Sequence, residues 1–160
     1  MPDVTLRTAE PRDVDAVATI WRDGWRDGHL GRVPDALTAA RTPESFRTRA
    51  ADRVADTHVA EVGGEVAGFV MVAADEAEQV YVAAAHRGSG VADALLAEAE
   101  RLIAAAGHRR AWLAVVPGNG RARRFYERRG WADEGPFEYV ADTPAGAIAV
   151  PCHRYAKVVG

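Results

Sequence analysis

The run Arg87-Gly88-Ser89-Gly90-Val91-Ala92 puts two glycines and a serine at the point where a long segment with apolar residues at helical spacing begins. At such a helix start the first backbone N–H groups are unpaired, and the helix dipole favours negative charge. The chemistry this predicts is anion binding. Gly88 and Gly90 let a diphosphate approach the backbone closely, Ser89, Val91 and Ala92 offer further N–H groups, and Arg87 adds a guanidinium contact. The same residues also read as a plain flexible turn capped by Ser89. The run is not a P-loop, since no Gly-Lys-Ser/Thr follows, and a dinucleotide fold places its glycine turn after the first strand.

Other residues could move protons. Glu78, with Val80 and Val82 on one face of a predicted strand, is a candidate base, or equally a strand-edge charge in an acidic loop with Asp75 and Glu76. Tyr126 follows Phe125 on a predicted short helix, about 100° around it, so one ring can pack inward while the other reaches a cleft. Asn119 reads as the cap of that helix or as a hydrogen-bonding group for a ligand. The five histidines show no His-x-x-x-His spacing, and no metal site is expected. Cys152 and His153 are neighbours on a predicted strand and point to opposite faces, so they cannot form a thiolate pair. Ser89 lacks the Gly-x-Ser-x-Gly setting of an esterase.

The elements that must position these residues follow from periodicity. Val4 to Arg7 reads as a strand, and Pro11 opens a helix carrying Val14, Val17, Trp21 and Trp25, frayed at Gly24 and Gly28. A polar helix capped by Thr42 runs towards Asp56. His58–Val62 and Glu65–Ala74 form a hairpin about Gly63-Gly64, and Glu78–Val82 is the next strand. A helix from Ser89 to Ala106 turns Val91, Leu95, Leu102 and Ala106 inward and closes at Gly107. Trp112–Val116 is a strand, and Pro117-Gly118-Asn119-Gly120 breaks it. A short helix with Ala122, Phe125 and Arg129 on one side ends at Gly130, and strands follow at Phe137–Val140 and Ile148–Val158. The expected fold class is α/β (α+β), one domain over residues 1–160 with a mixed sheet of about seven strands and about four helices.

Composition narrows the function. At 160 residues, 48% hydrophobic and 27% charged, the chain has globular composition and no window near the ~18 consecutive apolar residues of a membrane span. A net charge of −3 argues against coating a phosphate backbone, so the arginines between Arg121 and Arg129 read as a solvated helix face, not a nucleic-acid site. With Cys152 as the only cysteine and no basic-then-apolar start, a reducing cytoplasm is expected. A homodimer is compatible with this composition.

Two motifs together carry a family resemblance. Arg87, Gly90 and Ala92 match the Arg/Gln-x-x-Gly-x-Gly/Ala cofactor motif of the GNAT acetyltransferases. Val115-Val116 and Asn119-Gly120-Arg121-Ala122-Arg123-Arg124-Phe125-Tyr126-Glu127-Arg128-Arg129-Gly130-Trp131 resemble the family's later strand, asparagine turn and closing helix. Two positions depart from the pattern: Ala84 stands where a loop proline is common, and Trp131 where phenylalanine is usual. The resemblance implies acetyl-CoA as co-substrate, touched by Val80, Val82, Arg87, Gly88, Ser89, Gly90, Val91, Ala92 and Asn119. It implies Tyr126 as donor to the departing sulfur, Glu78 or a water path as base, and Trp25 and His29 in the acceptor pocket. The implied activity is acetylation of a primary amine on a small molecule. A peptide or protein amine, or an acyl-CoA-binding module without turnover, are the alternatives.

Overall fold

Alternating apolar residues build most of one sheet, and glycines or polar residues end its strands. The computed structural model describes residues 3–160. The strands are β1 (Thr5–Thr8), β2 (Thr57–Val62), β3 (Glu65–Ala73), β4 (Glu76–Val82), β5 (Arg110–Val115), β6 (Ala132–Thr143) and β7 (Gly146–Val158). The helices are α1 (Val14–His29), α2 (Asp35–Ala40), α3 (Pro43–Asp52), α4 (Val91–Ala105) and α5 (Gly120–Arg128). Strand order is β1-β2-β3-β4-β5-β7-β6, antiparallel throughout except for the parallel pair β4 and β5. The sheet separates two cores, so that Val59 and Phe69 face Trp21, Trp25 and Phe46 of α1 and α3. Their neighbours Ala60 and Val70 face Val91, Leu95, Ala99 and Ile103 of α4. Among the described residues no helix is long and apolar enough to cross a membrane.

The Gly63-Gly64 hairpin forms as expected, with φ of 59° and 81°, values that favour glycine and suit a tight two-residue turn. Thr42 caps α3 by accepting from Ser45 N–H at 3.1 Å. Several boundaries differ from the periodicity. Helix α1 runs through Gly24 and Gly28 to His29, because those glycines are contact points: Tyr81 packs where a Gly24 side chain would stand, and a Cβ on Gly28 would lie 2.9 Å from Asn119 Nδ2. Helix α2 was not foreseen, and α3 stops at Asp52 ahead of a separate turn at Val54–Asp56. In α4 Val91 and Leu95 are buried as expected, but towards its end Ile103 is fully buried whereas Leu102 is half-buried and Ala106 exposed, so the inward stripe there lies one residue round from the expected one. That helix starts at Val91, and its N-cap is Gly90, not Ser89.

The parallel pair is the irregular part of the sheet. β4 and β5 meet at one register point, Glu76 opposite Trp112. That end is fixed by Asp75, whose carbonyl accepts the Trp112 N–H at 3.0 Å and whose Oδ1 accepts the indole N–H at 3.0 Å. Just beyond it, Val72 lies opposite Ala77 while Met71 lies opposite Gln79, which makes Glu78 the extra residue of a β-bulge. A bulge interrupts alternation and increases local twist. Glu78 therefore does not share a face with Val80 and Val82, as strict alternation predicts. Those valines pack towards α4, whereas Glu78 meets Arg53 at the end of α3.

Candidate active site

Where β4 and β5 part, two cavities open that share Gly24, Val80, Tyr81, Asn119, Ala122 and Tyr126 as walls. The larger, about 670 Å³, lies over the glycine turn. There the backbone N–H groups of Gly88, Ser89, Gly90, Val91, Ala92 and Asp93 make no hydrogen bond among the described residues. Gly88 and Gly90 hold φ of 76° and 84°, and nothing lies within 4 Å of where their side chains would be. A row of free donors at a helix start, with clear space above it, fits an anion such as a diphosphate. The Ser89 hydroxyl donates to the His86 carbonyl, closing the turn rather than capping the helix. Arg87 pairs with Asp27 of α1 at 2.7 Å, which ties the turn to that helix. Arg121, Arg128 and Arg129 stand on the cavity's opposite wall, so part of the arginine run faces the anion site.

Helix α5 supplies Tyr126 and is held from both sides. Asn119 Oδ1 accepts the Ala122 N–H at 3.2 Å, Arg123 donates to the Tyr155 hydroxyl at 3.0 Å, and Arg129 pairs with Asp93 of α4. Asn119 thus fills its capping role while its Nδ2, lying over Gly28, makes no hydrogen bond among the described residues. Both readings of that residue are compatible. The Tyr126 ring is packed by Phe125, Trp131 and Tyr155 at centroid distances of 5.3, 6.2 and 6.3 Å, yet its hydroxyl has no protein partner among the described residues. Burial pushes that hydroxyl up to about 12, so it keeps its proton at neutral pH and remains a donor. Trp131, 2% exposed, fills the core that its aromatic position predicts.

The smaller cavity, about 400 Å³, reaches from Tyr126 towards α1, α3 and β6. Trp25 and His29 both line it, stacked 4.9 Å apart with an interplanar angle of 4°. His29 Nδ1 must carry its proton, because it lies 2.9 Å from the Trp25 carbonyl oxygen, which can only accept. Burial, and beyond it the charges of Arg32 and Arg41, hold the imidazole below its ordinary pKa and neutral. Glu78 is 2.8 Å from Arg53. Glu76 was not singled out by sequence, but it also faces this cavity and accepts the Tyr139 hydroxyl proton at 2.8 Å. Burial raises the Glu76 carboxyl to about 7; the Tyr139 hydrogen bond opposes this, and Glu78 and Asp75 add to it. Cys152 also lines the cavity, but burial raises its thiol to about 11, which leaves it protonated and a poor nucleophile. His153 turns away to Asp133 at 2.9 Å, as neighbours on a strand must.

The acetyltransferase (GNAT) family model matches residues 15–131 of this chain, a span that includes the cradle, Tyr126 and both carboxylates. The chain belongs to the acetyltransferase (GNAT) family. Solved structures agree on the fold of this GNAT domain. An N-acetyltransferase from Staphylococcus aureus Mu50 superposes with a TM-score of 0.74 at 18% identity, covering 99% of each chain. An N-acetyltransferase from Thermoplasma acidophilum in complex with coenzyme A gives 0.70 at 16% identity, covering 98% of this chain and 99% of the other. A Salmonella typhimurium protein assigned as an acetyltransferase, with its cofactor acetyl-CoA, gives 0.70 at 17%, covering 99% and 95%. No curated protein sequence shows a significant match.

The GNAT cradle generates a test at Gly90. A glutamate there would strain a backbone held at φ 84° and set a negative charge above the free amides. The parent should melt at a higher temperature in millimolar acetyl-CoA, since a ligand bound only by the folded state adds RT ln(1 + [L]/Kd). Gly90→Glu is expected to lose that rise while keeping the parent's circular dichroism. An equal rise in the variant would remove the turn from the binding site.

Proposed function

We propose that this chain is an acetyl-CoA-dependent N-acetyltransferase acting on a primary amine of a small molecule. The observation that carries it is the pair of adjoining cavities, with free backbone amides in one, two carboxylates in the other and Tyr126 in the wall they share. Val80, Val82 and the segment Arg87–Ala92 form the cofactor wall, with Asn119 Nδ2 as a further donor across the cleft. An acceptor cavity of about 400 Å³ suits a small molecule better than a protein surface. A module that only bound acyl-CoA would have no use for a buried carboxyl whose proton affinity is matched to neutral pH.

When bound, acetyl-CoA supplies an acetyl group activated as a thioester. The chain's residues must free the amine of its proton and protonate the departing sulfur. An alkylammonium with a pKa of roughly 10 holds its proton at neutral pH, so an acceptor is required. Glu76, raised to about 7, is better matched to that task than Glu78, which its ion pair with Arg53 occupies. The charge of Glu78 beside it draws an ammonium group into the cavity. The neutral Nε2 of His29 adds an acceptor on the far wall. Tyr126, protonated and without a competing partner, donates to the sulfur as negative charge develops there.

Release of free thiol in the presence of a panel of primary amines tests the function. Turnover of at least one small amine is expected, and acetyl-CoA binding without turnover of any would favour the non-catalytic module. With an accepted amine, Tyr126→Phe should leave stability and acetyl-CoA affinity nearly unchanged while kcat falls ~10- to 1000-fold, as loss of a transition-state interaction requires. A kcat within about twofold of the parent, with chemistry limiting, would make Tyr126 a packing residue.

Glu76→Gln should lower kcat by ~10²- to 10⁴-fold. A base works deprotonated, so the parent's kcat should rise with pH through about 7, and this rise should be absent from the variant. An unchanged pH profile in Glu76→Gln would return the role to Glu78 or to water.

A further inference from the structure

The cations of the acceptor cavity are unevenly matched. Arg53 is satisfied by Glu78 at 2.8 Å and Asp56 at 3.2 Å. Arg49 is not. Among the described residues its guanidinium makes no hydrogen bond and no ion pair, although it lies 4.2 Å over the ring of Trp21, a residue only 1% exposed. Its Nη1 is shut away from solvent without a partner, and the rest of the group lines the cavity. Stacking on an aromatic face offsets part of the burial but offers no acceptor to the planar N–H donors. Burial, reinforced by the charge of Arg41, lowers the guanidinium to about 10, which marks how poorly its charge is compensated.

Arg41 stands on the same cavity. Both its Nη atoms rest 3.2 Å from the Asp142 carbonyl oxygen, and no carboxylate pairs with it among the described residues. Two guanidinium groups, neither paired with a carboxylate among the described residues, thus face one small space that is also lined by Asp52 and Asp142 and, on its β4 side, by Glu76, Glu78 and the Arg53 paired with it. A buried charge is retained at a cost unless something pairs with it, and a cavity that holds unpaired cations as well as carboxylates is complementary to a zwitterion.

We propose that the acceptor is an amine of amino-acid size that also carries a carboxylate or comparable oxyanion, with the anion held by Arg41 and Arg49 and the ammonium end lying towards Glu76 and Glu78. This rests on the smaller cavity being the acceptor site of the transferase. The anion completes the unpartnered guanidinium and sets the direction in which the molecule enters, so that its nitrogen points to the Tyr126 end of the cleft. Amines of the same shape without the anion leave both arginines uncompensated and place the nitrogen loosely.

The test compares the free amino acids with their amides and decarboxylated amines, for instance phenylalanine, phenylalaninamide and phenethylamine. Thiol release is measured first, and then binding to the protein saturated with coenzyme A. The acids should exceed their partners that lack the carboxylate in kcat/KM by about 10- to 100-fold, the range expected for charge-assisted hydrogen bonds. Arg49→Gln and Arg41→Gln should each shrink that ratio, chiefly through KM for the acids, with the acetyl-CoA thermal shift retained. Arg49→Lys, which keeps the charge over Trp21, guards against a variant that fails to fold and should retain part of the preference.

Amides and decarboxylated amines turned over as well as the acids would overturn the anion site and leave the transferase standing. If no amine is turned over, yet the coenzyme A complex binds acids more tightly than amides and Arg49→Gln removes the difference, the anion site stands and the transfer reaction falls. Equal or absent binding of both classes to that complex, with no turnover, overturns the proposal.

Discussion

Asp75 fixes Trp112 through both the backbone and the indole, and the bulge at Glu78 follows within three residues. Between them they make a parallel strand pair that is joined at one end and open along the rest. Backbone groups in a sheet interior demand partners, so strands do not part without a compensating arrangement. Here β4 keeps its ladder with β3 on one side, β5 keeps its ladder with β7 on the other, and the edges turned towards each other face a cleft. Tyr81 fills the α1 side of the gap beneath Gly24, and α5 stands across it, capped by Asn119. Much of the site's geometry follows from that one departure from regular pairing.

The cleft sorts charge along its length. At the cradle the positive end is backbone: free amides and the α4 terminus, with Arg87 held back by Asp27 and arginines of α5 opposite. Two groups along it are neutral, Tyr126 because burial keeps its hydroxyl proton in place and His29 because burial disfavours the doubly protonated imidazolium. Beyond Tyr126 the smaller cavity is lined by the carboxylates Glu76 and Glu78 and by the guanidinium groups of Arg41 and Arg49. Groups of similar burial are thereby driven to different protonation states by what surrounds them.

Much of this was legible in the residues. Glycines needed at positive φ announced the hairpin and the glycine turn, Thr42 and Asn119 announced helix starts, and the succession of strands along the chain followed from alternation. What stayed hidden depends on contacts between distant segments. Gly24 and Gly28 looked like a frayed end because the residues that need their missing side chains, Tyr81 and Asn119, are far away in sequence. Glu78 was placed with Val80 and Val82 by a period of two, which a bulge breaks without any local signal. Glu76 gains its raised proton affinity from burial, against the opposing hydrogen bond of Tyr139, and Arg49 is conspicuous only once its lack of a partner is seen in three dimensions.

The most direct measurement is the amide spectrum of isotope-labelled protein titrated with acetyl-CoA, with the backbone assigned from Val80 to Asp93. The account predicts that the N–H resonances of Gly88 to Asp93, unpartnered in the free chain, move downfield on saturation as they acquire acceptors, together with shifts along Val80 to Val82. Saturation with these amides unmoved, while resonances elsewhere respond, would contradict the assignment of the opened strand pair and its glycine turn as the place where the acyl donor binds.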